Sequence, residues 1–278
     1  MVGKRTVKDI LEMKGGQRKI SMLTAYDAPM AALLDQSGID ILLVGDSLGM
    51  VVLGFDSTVP VTMEQMLHHA AAVRRGAENA LVIGDMPFGS YLVDVKETVR
   101  NGVRFLKESC CDGIKLEGGE QICNEVRALV RAGVPVMGHL GLTPQTVGQL
   151  GGFKVQGKSL EAGRQMLADA RALEDAGAFS LVLECVPAPL AEVITRGISI
   201  PTFGIGAGPD CDGQVLVTND MLGLFEKFTP GFVKKYLDLA PQMKEAITTF
   251  QEEISSGVFP APEHSFASDE DFSSLLKD

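Results

Sequence analysis

One pattern constrains this chain more than any other: a short apolar run ending in an ionisable side chain, repeated along the sequence. Its clearest copy is Ile41-Leu-Leu-Val-Gly-Asp-Ser-Leu-Gly49, where four apolar residues run into a glycine, Asp46 and Ser47. A continuous apolar run bounded by glycine reads as a strand buried on both faces, as in a parallel sheet. The arrangement returns at Ala80–Ile83 before Asp85, Gly113–Leu116 before Glu117, Val134–Gly138 before His139 and Phe179–Leu183 before Glu184. Ile20–Thr24, Ile200–Gly204 and Gln214–Thr218 complete a set of eight expected strands.

Helical spacing fills the intervals. A helix over Thr6–Lys14 opens the chain, and further helices are expected over Ala28–Gln36, from Thr62 to Arg75, over Val95–Ser109, up to Arg131, over Leu160–Ala176 and over Pro189–Arg196. Thr62-Met-Glu-Gln65 has the form of a capping box. Helices are also expected over Pro230–Ser256, with a break near Pro241. Strand and helix alternating every 30 residues or so imply right-handed βαβ units and a parallel sheet. Eight such pairs in 278 residues favour an α/β fold of the closed (β/α)8 TIM-barrel type, with a doubly wound open sheet as the alternative. No composition break divides the chain. Residues 1–266 are expected to form a single barrel domain with C-terminal helices, and 267–278 a flexible acidic tail.

Composition excludes several functions. A net charge of -11 without a basic stripe argues against nucleic acid and anionic membrane surfaces as partners. No apolar run approaches the ~20 residues of a membrane span. Five cysteines, two of them adjacent and none at metal-ligand spacing, do not make a disulfide framework. A cytoplasmic location follows, with the thiols serving mostly as small apolar groups.

In a barrel of this kind the active site lies at the carboxyl ends of the strands. Asp46, Asp85, Glu117 and Glu184 fall there, and Lys115 shares a strand face with Glu117. Four carboxylates against one lysine leave a charge of -3 around one mouth, which is costly in a partly dry site unless compensated. A hard divalent cation compensates it, and oxygen donors of the Asp/Glu type select Mg²⁺ or a similar ion. The bland readings stand beside this one. A single Asp after a strand is commonly a helix cap, Lys115 can be a mere salt-bridge partner of Glu117, and His139 reads as a satisfied structural histidine. Gly204-Ile-Gly-Ala-Gly208 lacks the Lys-Ser/Thr of a phosphate loop and reads better as tight packing at the rim. The loops at 50–61 and 148–157 are candidates for closing over the site.

The motifs together resemble the ketopantoate hydroxymethyltransferase family from about residue 5 to 266. The resemblance is carried by Thr24-Ala-Tyr-Asp27, Val44-Gly-Asp-Ser-Leu-Gly-Met50, Asp56-Ser-Thr58, Pro60-Val-Thr62, His69 to Gly76 and Asp85-Met-Pro-Phe88. It continues through Lys115-Leu-Glu-Gly-Gly119, Gly138-His-Leu-Gly-Leu-Thr-Pro-Gln145, Lys154-Val-Gln-Gly157, Leu183-Glu-Cys-Val-Pro187 and Gly204 to Gly208. Asp212-Gly-Gln-Val-Leu216 and Glu263-His-Ser-Phe266 close it. The resemblance implies a phosphoenolpyruvate/pyruvate-domain-like barrel, one Mg²⁺ per subunit and a homodecamer. It implies transfer of a hydroxymethyl group from 5,10-methylenetetrahydrofolate to 3-methyl-2-oxobutanoate through a Mg-stabilised enolate, forming 2-dehydropantoate for pantothenate and coenzyme A synthesis. By motif it makes Asp46, Asp85 and Glu117 the metal set, Asp46, Ser47, Asp85 and Lys115 the keto-acid site, and Glu184 the proton acceptor. It assigns no residue to the folate.

Two other classes fit the residues less well. A carbon–carbon lyase or mutase of the isocitrate-lyase type would carry a loop cysteine as acid, whereas Cys110 and Cys111 precede the fourth strand, at the wrong end. A non-catalytic assembly protein would use the same carboxylates as rim salt bridges.

Overall fold

The computed structural model describes residues 3–276, apart from the side chains of Leu150 and Ser274. The last two positions of the acidic tail therefore lie outside the described residues. Eight parallel strands close into one barrel in the order β1 to β8, each hydrogen-bonded to the next and β8 to β1. They are β1 Ile20–Thr24, β2 Ile41–Val44, β3 Leu81–Asp85, β4 Gly113–Glu117, β5 Val136–Gly141, β6 Ser180–Glu184, β7 Thr202–Ile205 and β8 Gly213–Leu216. Closure rules out the open doubly wound alternative.

Helices α1 Val7–Glu12, α2 Ala28–Gln36, α3 Leu48–Val51, α4 Met63–Gly76, α5 Val95–Glu108 and α6 Cys123–Arg131 belong to the first half. The second half carries α7 Val147–Leu150, α8 Leu160–Asp175, α9 Ala188–Gly197, α10 Thr218–Met221 and α11 Leu239–Ser256. Local chemistry sets their starts. Thr6 with Asp9, and Thr62 with Gln65, form reciprocal capping boxes at α1 and α4. Two expectations are corrected at the far end. Residues 230–238 are not helical, and Pro241 breaks nothing because it sits in the first turn of α11, where its missing N–H has no partner to lose.

Strand side chains alternate between two cores. Leu42, Val44, Val82, Ile114, Leu116 and Leu181 pack outward against the helices. Ile41, Leu43, Leu81, Ile83, Met137, Val182, Phe203 and Val215 fill the barrel, and Ile10 of α1, fully buried, plugs it from below. On the inner face the chemistry changes toward the carboxyl ends. By the period of two, Ile83 is followed inward by Asp85, Met137 by His139, and Val182 by Glu184.

The amino-terminal rim is stitched by carboxylates of a different kind. Asp40 accepts both guanidinium N–H groups of Arg18 at 2.9 and 2.7 Å, and the Ser21 amide and hydroxyl at 3.0 Å each. Asp35 accepts the Asn79 and Ala80 amides, and Asp212 accepts Lys14 and the amides of Gly15 and Thr202. Burial alone would raise all three carboxyls, but these donors more than offset it and hold each below its ordinary value. Groups tied down in this way at the amino-terminal face of a barrel serve stability. Asp40→Ala should therefore cost about 2–4 kcal/mol, since it strands the Ser21 donors and the Arg18 pair. Because the folded carboxyl is depressed, its contribution is present above the ordinary carboxylate pKa of about 3.9 and fades as pH falls below it. Urea melts at pH 7 and in acid check both points: the gap between wild type and variant should shrink in acid.

Candidate active site

Four strand ends bring their polar residues to one point inside the carboxyl-terminal mouth. Asp85 and Lys115 are register partners on β3 and β4, and Glu117 and His139 are partners on β4 and β5. Lys115 Nζ lies 2.9 Å from Asp85 Oδ1, 3.7 Å from Glu117 Oε1 and 3.1 Å from His139 Nδ1. All four side chains are buried. Asp46 joins them from the turn after β2, its backbone N–H donating to Asp85 Oδ2 at 3.3 Å. Glu184, at the end of β6 and 17 % exposed, places Oε2 3.4 Å from His139 Nε2. Ser47 stands at the edge, its hydroxyl 2.9 Å from the Tyr26 hydroxyl. Every site residue expected from the sequence thus falls in one cluster or on its rim. Asp85, Glu117 and Glu184 are the last residues of their strands rather than the first of the loops, and Ser47 leads into the short α3 where loop was expected.

Excess negative charge marks the cluster. Burial pushes Asp85 up to about 7 against the pull of Lys115, with Asp46 adding repulsion. Burial likewise lifts Glu117 well above its ordinary value, and Asp46, Asp85 and Glu184 repel it further. Burial raises Glu184 to about 7, again opposed by Lys115. Lys115 itself would lose its proton to desolvation, but Asp85, Glu117 and Asp46 overcome that and keep it charged. Carboxylates held up here and held down at the opposite rim are the electrostatic signature of function at one end and stability at the other.

His139, expected as a satisfied structural histidine, lies inside β5, between the ammonium of Lys115 and the carboxylate of Glu184. Burial and the Lys115 charge keep its ring neutral. An ammonium only donates, so Nδ1 accepts from Lys115 and the ring proton sits on Nε2, facing Glu184. That N–H has no hydrogen-bond partner of ordinary geometry. Two more residues that had no assigned role, Tyr91 and Gln145, are buried against Glu117 and Asp46. The backbone beside Glu184 is also specialised. Gly141, at φ 97°, packs so closely that a Cβ there would lie 2.2 Å from the Glu184 carbonyl oxygen. Cys185, which follows Glu184, is held at φ 49°, a left-handed conformation rare outside glycine and common at functional sites.

A cavity of about 450 Å³ opens onto the cluster, with Glu117, His139 and Gln145 in its wall and Tyr91, Gln121, Gln156, Gln165 and Asp169 further round. The glycine-rich stretch thus contributes Gln156 and Gly157 to the wall. By contrast, Gly204–Gly208 is packing: a Cβ at Gly208 would meet Ala188 at 2.4 Å.

The donor set suits a hard cation only in part. Among the described residues no three His, Cys, Asp or Glu side chains are grouped so as to hold a metal ion by themselves. Lys115 stands against Asp85 and Glu117, where a third ligand would need to close. What remains is an oxygen-only set with surplus negative charge and open positions, which suits an ion that keeps water or substrate oxygens, as Mg²⁺ does.

Comparison with known proteins agrees with this geometry. A sequence profile of ketopantoate hydroxymethyltransferase matches residues 4–262. The 3-methyl-2-oxobutanoate hydroxymethyltransferase of Desulfotalea psychrophila is 63 % identical over 273 residues, covering 98 % of each chain. That of Heliobacterium modesticaldum is 57 % identical over 275 residues, covering 99 % of this chain and 100 % of its own. Among solved structures, phosphoenolpyruvate phosphomutase from Streptomyces platensis subsp. rosaceus superposes with a TM-score of 0.62 at 13 % identity, over 98 % of this chain and 94 % of that one. 2,3-Dimethylmalate lyase, a member of the PEP mutase/isocitrate lyase superfamily, gives 0.56 at 14 % identity, over 98 % and 93 %. These distant structures share the closed barrel fold and say nothing of this chain's chemistry. The match of profile and relatives along nearly the whole sequence leaves one conclusion: the chain belongs to the ketopantoate hydroxymethyltransferase family.

Proposed function

We propose that this chain is the enzyme that transfers a hydroxymethyl group from 5,10-methylenetetrahydrofolate to 3-methyl-2-oxobutanoate, forming 2-dehydropantoate for pantothenate synthesis. The observation that carries the chemistry is the buried cluster of Asp85, Lys115, Glu117, His139 and Glu184 at one barrel mouth. Lys115, kept charged by its neighbours, receives the substrate carboxylate or the oxyanion that grows on the 2-oxo group. Ser47, next in sequence to Asp46 and 2.9 Å from the Tyr26 hydroxyl, adds a hydroxyl donor for the keto acid. Glu184 takes the proton from C3, and a carboxyl raised to about 7 is matched to that task near neutral pH. His139 holds its Nε2–H toward Glu184 and so fixes the direction from which the base works. Water adds to the methylene carbon and the C–N bonds to the folate break, releasing tetrahydrofolate and a one-carbon unit at the formaldehyde level. The C3 carbanion equivalent bonds to that carbon, and its oxygen takes up a proton to become the new hydroxyl.

Mg²⁺, one per subunit, belongs to this reading, with Asp46, Asp85 and Glu117 as the residues that would hold it. When bound it supplies Lewis-acid polarisation of the 2-oxo group and cancels much of the surplus negative charge. The cavity beside the cluster supports a second substrate approaching from the side of Gln156 and Asp169. A homo-oligomer, taken as a decamer from the family resemblance, is supported by α11. That helix exposes Met243, Ile247, Phe250 and Ile254 at helical spacing, an apolar stripe that a lone chain leaves in water. Among the described residues no helix is long and apolar enough to cross a membrane, and a cytoplasmic location is part of the proposal.

Assay of 2-dehydropantoate from 3-methyl-2-oxobutanoate tests the reaction. Product should form only with methylenetetrahydrofolate present and should stop when EDTA removes divalent metal. Consumption of the keto acid without the folate would point to a lyase instead.

A further inference from the structure

The chain also builds a device for holding Asp46, and it runs through Gln145 and Tyr91. Its direction can be read from the donors and acceptors alone. The peptide N–H of Glu117 donates to the Tyr91 oxygen at 3.2 Å, and the Tyr91 hydroxyl stands 2.6 Å from Gln145 Oε1. An amide oxygen only accepts, and it lies much closer than the other acceptor in reach, the Glu117 carbonyl oxygen at 3.4 Å, so the Tyr91 proton goes to the amide. At the other end of the same amide, Nε2 faces two acceptors, Asp46 Oδ2 and the Met86 carbonyl oxygen, both at 2.9 Å. The amide therefore has one satisfactory orientation: oxygen toward Tyr91, nitrogen toward Asp46. The backbone N–H of Gln145 separately donates to Glu117 Oε2 at 3.1 Å. Gln145, Tyr91, Asp46 and Glu117 are all buried, so a reversed amide would leave uncompensated polar groups out of reach of water.

We infer that Gln145 is a positioning residue that fixes the Asp46 carboxylate for cation and keto-acid binding, with Tyr91 setting which end of its amide faces Asp46. The inference rests on the reading of Asp46 as a ligand given above. Donors that orient a ligating carboxylate matter nearly as much as the ligand, and their loss typically weakens metal affinity by about 10–100-fold.

Two variants test it. Gln145→Met keeps the length of the side chain and the backbone bond to Glu117 but removes the amide. Tyr91→Phe removes the hydroxyl that orients it and, with it, the acceptor of the Glu117 peptide N–H. Titration calorimetry with MgCl2, in the presence and absence of 3-methyl-2-oxobutanoate, gives the readout, alongside melting of the metal-free proteins. We expect Gln145→Met to weaken Mg²⁺ binding by about 10–100-fold and to raise KM for the keto acid more than it lowers kcat. Tyr91→Phe should shift both in the same direction by less. A merely structural role would lower the melting temperature and leave the affinity of the folded protein unmoved. Binding of both probes within about twofold of wild type in either folded variant overturns the inference. Should Gln145→Met fail to fold, Tyr91→Phe decides alone. A wild-type protein that takes up neither probe overturns the metal reading of Asp46 and this role with it.

Discussion

Glu184→Gln should retain Mg²⁺ and keto-acid binding while losing exchange of the C3 proton by about 10²–10⁴-fold, the range that a positioned general base supplies. The expectation follows from where Glu184 sits. It is separate from the Asp85–Lys115–Glu117 group that would hold substrate and cation, and its neighbour of note is the unpartnered Nε2–H of His139. A glutamine of the same shape keeps an oxygen facing that N–H, so the fold and the ring orientation survive while the proton acceptor is gone. Proton NMR of 3-methyl-2-oxobutanoate in D2O, with binding followed by calorimetry, separates the two effects. Exchange at the wild-type rate would remove Glu184 from the base role.

Asp85→Ala should abolish both the Mg²⁺ dependence and keto-acid binding, with affinity for the ion falling by at least ~10²-fold, at the upper end of what altered metal shells cost. Asp85 meets Lys115 at 2.9 Å and the Asp46 peptide N–H at 3.3 Å, so its loss both removes a proposed ligand and unfastens the turn that carries Asp46. The metal-free protein should lose stability as well, because the buried Lys115 ammonium loses its 2.9 Å partner and the Asp46 turn its acceptor, and the relief of repulsion on Glu117 offsets only part of that. Calorimetry with MgCl2 and thermal melting check the pair of expectations, and unchanged metal affinity would show that the ligand set is wrong.

The barrel was legible because most strands announce themselves twice, by an apolar run and by the acid or glycine that ends it. Boundaries shifted by a residue or two because the pleat, not the polarity, decides where a strand stops. Asp85, Glu117 and Glu184 still pair with the neighbouring strand while pointing into the mouth. Some distinctions have no local signal. Asp40 and Asp46 flank the same strand and look alike in sequence, yet the first is tied to Arg18 and Ser21 at the stability rim and the second lies in the site. His139 looked structural because its partners, Lys115 and Glu184, come from other strands. Tyr91 and Gln145 are 54 residues apart and meet only once the barrel closes. The motif containing Gln145 was visible, but nothing along the chain said which atom its amide would face.

The central claim is that this barrel mouth binds 3-methyl-2-oxobutanoate with a divalent cation and removes its C3 proton. The most direct measurement is the C3 proton signal of that keto acid in D2O with wild-type protein and MgCl2, without folate. Loss of the signal at a catalysed rate, stopped by EDTA and restored by Mg²⁺, is the predicted result. A C3 signal that decays no faster than in buffer, or a decay indifferent to EDTA, would contradict the account.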